Sequence, residues 1–203
     1  MVTNTSSAFD PFNDRLSRDL RNDLSGALLA AIALGTANPI EDIATHYRQY
    51  SNLGKARDSY LVSRQACYLS VLAAISAKPT DNELIALLLW NHELFFELHE
   101  FLEQSWLVAK GTEKLLLQAL IRAAGVYVHC QSGRHESAIK MAIRARDTIK
   151  QIQEELPLGF PADKLLDALA DPLAPPPQFG VLPTTPVHCR HVGNTQKTGK
   201  NQG

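Results

Sequence analysis

The stretch LLLQALIRAAGVYVHC, Leu115–Cys130, decides the fold class. An almost unbroken apolar run of this length, closed by Gly133, predicts a central helix buried on most sides. Its polar residues Gln118, Arg122 and His129 share, with Gly125, a wedge of roughly 60° on a helical wheel. Either that stripe is the helix's only solvent-facing edge, or it lines a pocket. Gly125 would leave room for a ligand there, or allow close helix packing.

Working back toward the N-terminus, residues 95–106 read FFELHEFLEQSW. At about 100° per residue, Phe95, Leu102 and Trp106 flank His99 on one side. Phe96 and Leu107 lie on the other side, beyond Glu103. Glu97, Glu100 and Gln104 fall on the opposite, polar arc. His99 and Glu103, one turn apart, are therefore neighbours within an apolar face, expected to be buried against the 115–130 helix. A charged Glu is rarely buried unless paired, so a partner is needed. Arg122 is one candidate, which would make a buried charge cluster. A metal bound by His99, Glu103 and His129, with Glu100 or a water nearby, is another; zinc accepts such ligands.

The rest of the chain is also helical in pattern. Leu16, Leu20, Leu24, Leu28 and Ile32 recur every four residues, and Pro39 opens a second segment. Lys55–Ala77 carries Leu61, Tyr68, Leu69, Leu72 and Ile75 as its apolar face, and Pro79 halts it. Thr80 or Asp81 caps a leucine-rich helix, and Asn91, a weak helix former, marks a turn before the next. Arg134–Gln153 follows, with Ala138, Ala142, Ala145 and Ile149 inward. A short helix is expected at Ala162–Ala170. The result is an all-α bundle of antiparallel helix hairpins, about six or seven helices. Residues 1–12 read as a flexible end, 13–80 as an N-terminal helical extension and 81–171 as the helical core. Residues 172–203, beginning PLAPPPQFGVLPTTP, offer too few apolar side chains to offset their ordering entropy and read as a Pro-rich disordered tail.

Composition narrows the function classes. The chain has 203 residues with net charge −1, so nothing in its overall charge points to nucleic acid or an anionic membrane. No apolar run approaches the ~20 residues of a membrane span. Ala27–Leu34 follows a long segment containing Asp10, Asp14, Asp19 and Asp23, unlike the short positive start of a secretory signal. Cys67, Cys130 and Cys189 are odd in number and far apart, which suggests neither a disulfide framework nor a thiolate zinc site and fits a cytoplasmic protein. His46, His92 and His135 sit near expected helix ends and read as surface residues. His188, Cys189 and His191 are grouped in the polar tail, where nothing holds them in place.

The stretch from about Asn91 to Ala145 resembles a bacterial and archaeal family called domain of unknown function 309. The family signature is a His, three residues, a Glu, two residues, then Trp or Tyr. Here it is supplied by His99, Glu103 and Trp106, preceded by Glu97 and followed by LLLQALIRAAGVYVH. The resemblance implies metal binding through this motif, with no established activity. The chain departs from the family in carrying Glu93 where Gly is usual in the preceding turn. It also has Arg122 in place of a second Gln, and a guanidinium repels a cation and favours a carboxylate or phosphate.

The expected functional spot is thus a buried cluster of His99, Glu103, Gln118, Arg122 and His129, with Trp106 as a wall. Its reading is a ligand- or anion-binding pocket. The enzyme alternative is a metal-dependent hydrolase using a divalent metal such as zinc. A third class is a helical interaction module binding a protein partner or a second copy of the chain. The turns at Asn91–Glu93 and Ser132–Arg134, about forty residues apart, faintly suggest repeated helix hairpins. In that class the acidic arc of Glu93, Glu97 and Glu100 and the basic helix bearing Lys140, Arg144, Arg146 and Lys150 either pair internally or face a partner.

Overall fold

A computed structural model describes residues 8–76, 81–152 and 156–180. The described residues form eight α-helices and no strand, one helix more than the sequence pattern led us to count. They are α1 (Arg15–Leu34), α2 (Asn38–Arg48), α3 (Lys55–Ser76), α4 (Asn82–Asn91), α5 (Phe95–Val108), α6 (Gly111–Gln131), α7 (His135–Gln151) and α8 (Ala162–Ala168), with a 3₁₀ turn at Pro157–Gly159 before α8. Local chemistry sets the ends. Asp14 caps α1 by accepting from the Ser17 N–H at 2.7 Å, and Gly35, at φ 66°, takes the left-handed conformation that stops it. Asp81 caps α4 in the same way. Among the described residues no helix is long and apolar enough to cross a membrane.

α6 is the central helix, packed between α5 and α7. A Cβ at Gly125 would lie 2.6 Å from Met141 Sδ, so any side chain there would push the Met141 thioether of α7 aside. Close packing, not ligand space, is the reason for that glycine. The N-terminal helices α1, α2 and α3 pack on one another, and α1 lies against α5.

The two hairpin turns share one geometry. At the end of α4 the Leu94 N–H reaches back to Leu89 O, with Glu93 at φ 57°. At the end of α6 the Arg134 N–H reaches back to His129 O, with Gly133 at φ 68°. Each is a helix C-terminal cap closed by a residue in the left-handed region, where glycine is the easy choice. In the first turn the chain manages with Glu93, whose carbonyl accepts from the Gln131 side-chain amide at 3.0 Å.

Residues 172–180 correct the expectation of a disordered tail starting at Pro172. Phe179 is only 1% exposed and packs among Trp90 and Phe160. The Asn91 side chain clasps its backbone, donating to Phe179 O at 2.6 Å and accepting from Phe179 N at 2.8 Å. Trp90 Nε1 donates to Pro177 O at 2.8 Å, and the Cys130 thiol lies 3.3 Å from Pro172 O. One aromatic side chain plus satisfied backbone groups holds a stretch that average hydrophobicity alone would leave loose. Cys130 is a free thiol. The grouped His188, Cys189 and His191 lie outside the described residues.

Candidate functional site

The buried face of α5 is built from Leu94, Phe95, Leu98, Phe101 and Leu102. Glu97 and His99 fall on opposite flanks of that stripe. The N-terminal helices cover the first flank, so Glu97 is 0% exposed, and its assignment to a solvent-facing polar arc was wrong. Its partners come from α3. The Tyr68 hydroxyl donates to Glu97 Oε1 at 2.5 Å, and Arg64 Nε lies 3.6 Å from the same oxygen. Burial opposes the Arg64 charge, but the Glu97 carboxylate more than compensates and keeps the guanidinium protonated. Burial and the same carboxylate push the Tyr68 phenol well up. Tyr60, whose ring lies 5.2 Å from the Arg64 guanidinium, is pushed up to about 12, chiefly by burial. A buried ion pair does exist on the motif helix, between Arg64 and Glu97 and not between Arg122 and Glu103. Arg64 sits three residues after Leu61 and four before Tyr68, inside an apolar stripe of α3. A lone Arg in such a stripe is the sequence signal for a buried acid elsewhere.

The other flank of α5 holds the motif residues, half-buried and not enclosed. The side chains of His99, Glu100 and Glu103 are 29%, 38% and 45% exposed. Glu100 Oε1 lies 3.4 Å from His99 Nδ1, and Glu103 Oε1 lies 3.9 Å from His99 Nε2. One ligand atom from each of the three residues falls within 4.8 Å of the others. Phe96 lies parallel to the imidazole, with an interplanar angle of 3°. Trp106 forms a half-buried end wall, and the Lys114 ammonium sits 4.3 Å from its ring centre.

The remaining expected members are elsewhere. Arg122 donates to Thr148 Oγ1 of α7 at 3.4 Å, on the side of α6 where Gly125 meets Met141. Two members of the α6 stripe, Arg122 and Gly125, therefore face α7. His129, near the end of α6, stacks on Phe12 at 5.2 Å, and burial together with Arg134 lowers its pKa. It is not grouped with His99 and Glu103, and Glu100 takes the third place. Gln118 is half-buried on α6. His46 and His135 are exposed as expected, but His92 is buried at the end of α4.

Comparison with curated proteins and comparison with solved structures each return no match. The comparison with protein families does, over the two hairpins just described. Residues 85–141, from α4 through α5 and α6 into α7, match the model of the family described as Domain of unknown function (DUF309).

Proposed function

We propose that the chain is a helical module that binds a divalent cation through His99, Glu100 and Glu103. The observation that carries this reading is the convergence of three ligand atoms from one helical turn within 4.8 Å. Ligands about 2.1 Å from a tetrahedral ion stand about 3.4 Å apart, so small side-chain rotations suffice to close the set. An imidazole coordinates through one nitrogen, so one of the two carboxylates swings toward the other's side of the ring. Their partial exposure makes that rotation cheap. One imidazole and two carboxylates suit zinc, manganese or iron, and three protein ligands leave a position for an exchangeable group. Binding is favoured over hydrolysis because the nearest carboxylate that would serve as a base, Glu100, belongs to the ligand set.

Titration of the full chain with Mn²⁺ or Zn²⁺ should give one ion per chain. His99→Ala and Glu103→Gln should each weaken it at least tenfold, while His129→Ala leaves it unchanged. Parent-like affinity in His99→Ala would remove the proposal.

A further inference from the structure

Arg21 of α1 stands beside this site. Its guanidinium carbon lies 3.8 Å from the centre of the Phe96 ring, and that ring runs parallel to His99 with centroids 6.4 Å apart. Guanidinium and imidazole centres are therefore at most about 10 Å apart. Burial lowers the Arg21 pKa, and the Tyr60, Glu97 and Glu100 groups act in the opposite sense. Yet among the described residues Arg21 belongs to no ion pair. Among the described residues its side chain donates only to its neighbour Asn22, at Oδ1, and a second ring, Phe12, lies 5.8 Å from the guanidinium carbon. A half-buried cation with one face covered by an aromatic ring keeps its N–H donors in the plane of the fork, the arrangement that grips carboxylates and phosphates.

We propose that the cation at His99, Glu100 and Glu103 takes an oxyanion, carboxylate or phosphate, as its exchangeable ligand, with Arg21 holding the anion's far side. This inference rests on the cation reading above. The charges require a ligand of this sign: a divalent ion and Arg21 outweigh the two carboxylates by one positive charge. Metal–oxygen bonds of about 2 Å, N–H···O distances of about 2.8 Å and the width of the anion together bridge a gap of this size. The same arrangement gives the cation site selectivity, since a neutral ligand would leave Arg21 without a counter-charge.

The test is calorimetric titration of the full chain, first with MnCl₂ and then, on the loaded protein, with inorganic phosphate and with acetate in separate arms. Anion binding to the loaded parent is expected, weakened at least tenfold in Arg21→Gln, with Mn²⁺ affinity unchanged or tighter. Arg21→Lys, which keeps the charge and loses the fork, should fall between the two and controls for folding. Binding in the phosphate arm alone identifies phosphate-bearing ligands, and in the acetate arm alone carboxylate-bearing ones. Mn²⁺ uptake without anion binding overturns this inference and leaves the cation reading standing. Equal anion affinity in parent and Arg21→Gln overturns the role of Arg21. Failure to bind Mn²⁺ overturns both.

Discussion

Glu97 and Glu103 lie six residues apart on one helix and live in different solvents. Glu103 is half in water, while Glu97 is sealed against Arg64 and Tyr68, so the same chemistry carries opposite consequences when changed. Glu97→Gln leaves Arg64 buried without its counter-charge, and breaking such a pair costs roughly 3–5 kcal/mol. Combining it with Arg64→Met should recover much of that loss, as read by a double-mutant cycle in denaturant. A coupling energy within error of zero would show that the pair does not act as a unit. Glu93 permits a prediction of opposite sign. It occupies the left-handed region at φ 57°, where a side chain is strained and glycine is not. Glu93→Gly should raise stability by about 1 kcal/mol, seen as a higher denaturant midpoint at unchanged slope. A fall would mean that the side chain's contacts outweigh the backbone strain.

At the level of elements, each helix was legible because periodicity, caps and glycines agree: Asp14 and Asp81 start helices, and Gly35 and Gly133 follow helix ends. What sequence obscured was rotation about the axis of α5. Trp106 and Phe96 look like core and are half-buried walls, whereas Leu94, Leu98 and Phe101 set the true inward direction. The face expected around His99 and Glu103 is turned by roughly 100° from the true one, which put Glu97 in solvent and His99 in the core. Which flank of a helix is covered depends on where α1 and α3 dock, and that is a tertiary fact no local pattern encodes. The segment 172–180 was missed for a related reason: its hold depends on Phe179 and on backbone groups whose partners are far away in sequence. Truncation after Asp171 should therefore lower the melting midpoint relative to truncation after Gly180. Removing a buried Phe costs 3–5 kcal/mol, about 10 °C for a chain of this size. Equal midpoints would mean that Trp90 loses nothing when Phe179 is gone.

Across the whole molecule, the family-matched hairpins form the middle of the structure, and the flanking segments complete it from both sides. The N-terminal helices bring Arg64 to Glu97 and Arg21 to Phe96. The C-terminal segment brings Phe179 to Trp90. The motif His99, Glu103 and Trp106 was visible from the start, but the positions of Glu100 beside His99 and of Arg21 over Phe96 depend on α5's rotation and on the docking of α1. The clasp between Asn91 and Phe179 also imposes an order on biosynthesis. It joins groups 88 residues apart, so at translation rates of roughly 5–20 residues per second the indole of Trp90 waits about 4–18 s for its cover. During that interval the emerging chain presents an aromatic surface that any chaperone screening for unfinished proteins can bind.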